Sequence, residues 1–208
     1  APDILAAIGA VALASDVTLT ITGADEVNIN DLQTMNAATS GAVVLNAATN
    51  AAAFTDTAAN LISAFTGITS HTGGLTVSNT GGVSAANLNT ILNDGDFVTI
   101  IGENGDDLSG LVGVDDIKIN NNASLTVKIG QNSSISVATG ENTVTLSDAG
   151  IATAMDTVEK YVLADGVNTF STSAVGTTVT GGVDADTFVI NVNGDEIDII
   201  KNFTASQG

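Results

Sequence analysis

A nine-residue element recurs in the first half of the chain and limits the folds open to it. Residues 27–35 read VNINDLQTM and residues 83–91 read VSAANLNTI, matching at Val, Leu and Thr, with TAANLISAF at 57–65 as a looser copy. Leu32, Leu61 and Leu88 are 29 and 27 residues apart, and Leu108 in DDLSGL stands as a degenerate fourth. In each copy the Leu and the apolar residue three or four positions on (Met35, Phe65, Ile91, Leu111) share one face of a helical turn. A unit of about 20–29 residues holding a strand and a helical turn belongs to architectures that stack repeats, because one unit alone cannot bury its apolar face. Chance echo in an Ala/Asn/Thr-rich chain is the alternative.

Strand signals surround these elements. VTLTITG (17–23), GAVVLNA (41–47), GLTVSN (74–79), DFVTIIG (96–102), DIKIN (116–120), SLTVKIG (124–130), SISVATG (134–140) and NTVTLS (142–147) are Val/Ile/Thr-rich and bounded by Gly, Asn or Asp. The reading is a mostly β chain, a parallel β-solenoid or β-roll with short helical turns near 31–35, 57–65 and 85–91; an irregular β-sandwich is the competitor. Two continuous regions are expected, a strand and helical-turn region over 1–130 and a roll-like region over 131–208. One further helix is expected at 147–158.

Charge excludes several functions. With 23 acidic residues against four Lys and no Arg, the net charge is -19, and nucleic acid lacks the cations it needs for binding. The mean hydropathy of +0.35 nevertheless favours condensation over disorder. Repulsion among carboxylates destabilises a compact acidic chain, and a bound divalent cation relieves it. Zero Cys removes disulfides, thiolate metal sites and Cys nucleophiles together. The apolar run around Ile4, Leu5, Ile8, Val11 and Leu13 is too short to span a bilayer. It either caps the core or inserts into a neighbouring subunit.

The acidic motif that stands out is GGVDADTFV at 181–189. In the calcium-binding nonapeptide G-G-x-G-x-D-x-U-x, glycines permit the tight turn, the Asp takes the ion and the apolar U points inward. Gly181, Gly182, Asp186 and Phe188 match, whereas Asp184 stands in place of the third Gly. Phe170 lies eighteen residues before Phe188, the register that a stacked neighbour two nonapeptides away requires. The segment NGDEIDIIKNFTASQG (193–208) resembles the close of the array in RTX-type, haemolysin-type calcium-binding secreted proteins, with Asn202 in place of the more usual Asp before Phe203. The resemblance extends through DGVNTF (165–170) and GENTV (140–144). The first 130 residues are similar only in style to bacterial surface-layer and giant adhesin sequences.

Calcium is therefore expected at Asp184 and Asp186, the alternative being a plain Asp-rich turn. The next candidates are Glu103, Asp106 and Asp107 in GENGDD, then Asp195 and Asp198 beside Glu196; Asp94/Asp96 and Asp115/Asp116 are further acidic pairs. Catalysis has little support. His71 is the single His and sits in the turn TSHTGG, where a surface position is expected. There is no Trp, and Tyr161 is the one Tyr available to stack on a sugar. The expectation is a non-enzymatic, secreted bacterial surface or matrix protein that self-assembles into a layer or filament with calcium. The alternative is a calcium-dependent adhesin segment, binding a cell-surface polysaccharide or using Thr18, Thr20 and Thr22 as a flat hydroxyl array.

Overall fold

The computed structural model describes residues 16–23, 27–68, 71–92, 97–192 and 196–203, together with positions 8 and 14. The expectations for the N-terminal run as a whole, for Asp94/Asp96 and for Asp195 fall outside these residues. The chain is β-rich, with parallel sheets, and divides into two compact units: Ala1–Ile100 with Leu111–Asp115, and Ile101–Gly110 with Asp116–Gly208.

The first unit alternates strands with helices: β1 (Leu19–Thr20), α1 (Ile29–Ala38), β2 (Val43–Val44), α2 (Ala47–Ala51), β3 (Phe54–Thr57), α3 (Ala58–Phe65), β4 (Gly74–Asn79), α4 (Ala85–Leu92) and the first four residues of β5 (Phe97–Gly102). The recurring element is real in three dimensions. Leu32, Leu61 and Leu88 are all buried, on α1, α3 and α4 respectively. Gln33 Nε2 donates to the Asn60 carbonyl and Asn36 Nδ2 to that of Ser63, both from residues twenty-seven positions earlier, so the side-chain amides lock α1 to α3 in register. Asn28, Asn46 and Thr57 cap the first three helices by accepting from backbone N–H groups in the first turn. β1 runs parallel to β2, and β3, β4 and β5 pair parallel in that order.

The sole histidine is not at the surface. His71 is buried between the rings of Phe54 and Phe65, at centroid distances of 5.5 and 4.9 Å, with Nε2 2.9 Å from the Ala52 carbonyl. The turn reading missed this because the segment docks on backbone. Gly73 lies so close to Ala52 that a Cβ there would overlap its carbonyl.

The second unit is built from short strands: β6 (Asp116–Ile119), β7 (Ser124–Val127), β8 (Ile135–Ala138), β9 (Thr143–Leu146), β10 (Ile151–Thr153), β11 (Lys160–Val162), β12 (Thr169–Ser171), β13 (Thr178–Thr180), β14 (Thr187–Val189) and β15 (Ile199–Lys201). One sheet has the order β15-β13-β11-β9-β7, a second β10-β12-β14, and β6 pairs with β8. Partners in the first two sheets are separated by seventeen to twenty-one residues, so each pass of the chain returns over the last.

The register makes columns of like residues. Leu125, Val144, Tyr161 and Val179 align and are buried. Ala152, Phe170 and Phe188 align on the other sheet, the eighteen-residue step between the two Phe residues matching the expected register. Tyr161 and Phe170 bring the columns together with ring centroids 4.9 Å apart. Two expectations fail here. No helix forms at 147–158: Ile151–Thr153 is β10, drawn into strand by pairing with β12, so tertiary pairing overrides the local apolar pattern. Leu108 is buried, but not on a fourth helical turn; its N–H bonds the Thr126 carbonyl of the overlying pass.

Candidate metal centre and the acidic corners

A backbone corner between parallel strands leaves N–H groups with no ladder partner, and buried or half-buried ones need an acceptor. In this chain side-chain oxygens of adjoining passes supply those acceptors, and seven of them are carboxylates one pass later. Asp115 accepts from Val98 N, Asp148 from Ile129 N, Glu159 from Asn142 N, Asp184 from Gly166 N and Asp186 from Asn168 N, at 2.7 to 3.1 Å. Glu196 and Asp198 accept in the same way from Gly176 and Thr177. All seven pairs span seventeen to twenty-one residues. A carboxylate is an acceptor only, whereas Lys is a donor only, so this use draws in acids and leaves bases out.

The nonapeptide lies in this pattern. Asp186 is half-buried and receives three N–H groups: Asn168 N and Nδ2 on Oδ1, and Gly182 N on Oδ2. Gly181 and Gly182 matter through their missing side chains rather than through a left-handed turn. A Cβ on Gly182 would run into the Ala164 carbonyl of the preceding pass, and one on Gly181 would stand 2.8 Å from Asp186 Oδ2. Phe188 is half-buried, not enclosed as its position in the motif implies, because β14 has a partner on one side alone among the described residues. Asn202 replaces the expected Asp for a chemical reason. Its Nδ2 donates to the carbonyls of Gly181 and Gly182, which a carboxylate cannot do.

Calcium takes about six to eight oxygen ligands. Asp186 has three of the roughly four acceptor positions of its carboxylate taken by N–H groups, which leaves it little capacity for an ion. Asp184 and Asp165 fit better. Both are exposed; Asp184 Oδ2 accepts from Gly166 N and Asp165 Oδ1 from Val183 N, leaving each carboxylate a second oxygen.

The GENGDD residues form a turn. Asp106 Oδ2 accepts from Glu103 N at 2.8 Å and Asp107 Oδ1 from Ser109 N at 3.0 Å. Asn104 Oδ1 accepts from Ser124 N. Among the described residues, no group of three or more His, Asp or Glu side chains is placed to hold a metal ion. Asp198 and Glu196 cap neighbouring amides at Thr177 and Gly176, and Asp195 lies outside the described residues.

Asp148, Glu159 and Asp165 acquire roles in the corners that motif matching did not single out, and Asp115, noted above in an acidic pair, caps Val98 N. Their signal was the spacing: Asp148, Asp165 and Asp184, or Asn168 and Asp186, recur at the length of one pass. Elsewhere Lys160 donates to exposed Glu141 at 2.7 Å, and this hydrogen bond, with the ammonium charge, holds the Glu141 carboxyl below its usual range.

Tyr161 is buried in the second unit with both bonding capacities of its hydroxyl used. Its hydroxyl donates to Asn132 Oδ1 at 3.1 Å and accepts from Met155 N at 3.0 Å, while burial pushes its pKa up to about 12. No known protein family, curated protein or solved structure matches the chain. Among the described residues no helix is long and apolar enough to cross a membrane.

Proposed function

We propose that the chain is a structural, non-catalytic module of a secreted surface or matrix protein, a parallel β-solenoid that assembles with further copies into a layer or filament. The observation that carries this reading is the in-register stacking of the second unit, capped pass by pass by its own carboxylates. Such a body gains rigidity from repetition and needs no enclosed site. Calcium belongs to the proposal as the counter-ion of the exposed carboxylates, with Asp165 and Asp184 as the pair whose free oxygens lie on adjoining passes.

A second reading, adhesion to a surface polysaccharide, draws on the outward face of β7, β9 and β13. Thr126 aligns with Thr145, and Thr143 and Thr145 share one strand, as do Thr178 and Thr180. Lys160 and Val162 interrupt these rows on β11. Thr18, Thr20 and Thr22 of VTLTITG are exposed, with Leu19 and Ile21 between them buried, and add a second row in the first unit.

Size-exclusion chromatography with light scattering, in calcium and in chelator, tests the assembly. Species well above the 20.6 kDa of one chain are expected in calcium, with loss of mass in chelator. A single species of one chain's mass in both conditions overturns the reading.

A further inference from the structure

The pass formed by β14 and β15 is, among the described residues, open on one side. Among the described residues β14 pairs with β12 alone and β15 with β13 alone, so both strands present an unpaired outer edge. Between them Phe188, Ile190, Ile200 and Phe203 line an open cavity of about 250 Å³. Phe170 and Val179, which align one pass earlier with Phe188 and Ile200, are fully buried, whereas Phe188 and Ile200 are half-buried and Ile190 and Phe203 are 44% and 58% exposed. Exposed apolar surface beside a free strand edge is the chemistry of strand addition, in which main-chain bonds give affinity and pockets take alternate side chains.

Resting on the assembly reading above, we propose that this end receives the apolar segment Ile4–Leu13 of a second copy. Every residue from Ile4 to Ala14 is apolar or Gly, a longer such run than any other in this chain. It brings no carboxylate to strands that Asp184, Asp186 and Asp198 closely precede in sequence, whereas most other parts of so acidic a chain would add repulsion. The contact is head-to-tail, using different patches on the two copies, and such contacts propagate into open filaments when the rotation does not close a ring.

The absence of Cys makes the test direct. Two single variants, Leu5→Cys and Ile190→Cys, are mixed under mild oxidation, with Leu5→Cys plus Thr145→Cys as the control pair. Docking raises the local thiol concentration, so the first pair is expected to form disulfide-linked dimers faster than the control, on the order of tenfold or more. Phe203→Ser, at an exposed position, is expected to abolish the difference and to reduce the assembled mass while leaving the circular dichroism unchanged. Equal rates in the two pairs overturn the proposal. So does a monomeric disulfide as the main product of the double variant Leu5→Cys/Ile190→Cys, which would place the segment on its own chain. Assembly that persists in Phe203→Ser with equal rates sinks this contact and leaves the assembly reading standing; a chain that is monomeric throughout sinks both.

Discussion

Asp186 shows how a side chain that looks like a ligand serves as a cap. Its oxygens receive three N–H groups from Asn168 and Gly182, and hydrogen bonds to a charged acceptor are the stronger kind. Asp186→Ala is expected to leave those donors unpaired and to cost about 1–3 kcal/mol, read as a fall in the urea midpoint. A midpoint equal to wild type would show that the bonds contribute nothing net. Tyr161 makes the second residue-scale prediction. Its pKa of about 12 in the fold lies above the ordinary value of 10.0, so its stabilisation is complete below pH 10 and is lost as pH rises through 12. The difference corresponds to about 2–3 kcal/mol. Denaturation followed from pH 9 to 12 should show this alkaline loss in wild type, and Tyr161→Phe should flatten it while lowering stability at neutral pH, because Asn132 Oδ1 and Met155 N lose their partner. An unchanged alkaline slope in Tyr161→Phe would refute the assignment.

Among the elements, the short strands of the second unit gain their stability from the column they align in, not from their length. Phe170 is fully enclosed and Phe188, one pass on, is half-open. Phe170→Ala is therefore expected to cost about 3–5 kcal/mol, and Phe188→Ala distinctly less, by chemical denaturation. Equal losses would mean that the outer pass is covered as fully as the inner one. The contrast also explains what the sequence disclosed. Strands with Val or Ile alternating with Thr between Gly and Asn corners were legible, as were α1, α3 and α4 through Leu32, Leu61 and Leu88. The three-residue strands β10 to β15 were largely not, apart from the Phe170–Phe188 step. Three residues carry too little pattern, and their conformation is imposed by the strand beneath, which is why Ile151–Thr153 looked helical. The acidic corners were visible as residues but not as partners, because the amide each one caps lies seventeen to twenty-one positions away.

For the whole molecule, stacking accounts for part of the excess of acid over base. Each pass offers corner N–H groups that an acceptor on an adjoining pass closes, which favours Asp, Glu and Asn over Lys and Arg at these corners. The net charge of -19 opposes compaction, and cations that bound the folded form alone would offset it by mass action, about 2.7 kcal/mol at a hundred times the dissociation constant. Calcium is accordingly expected to raise the melting temperature above its value in chelator, and equal melting temperatures would remove calcium from the account. The capping itself is tested most directly by amide hydrogen exchange resolved to single residues. The corner amides of Gly166, Asn168, Gly176 and Thr177 should be protected in the wild-type chain, and Asp186→Ala should release Asn168 and Gly182 while leaving Gly176 and Thr177 closed. Corner amides that exchange in wild type as freely as those of an unfolded chain would contradict it.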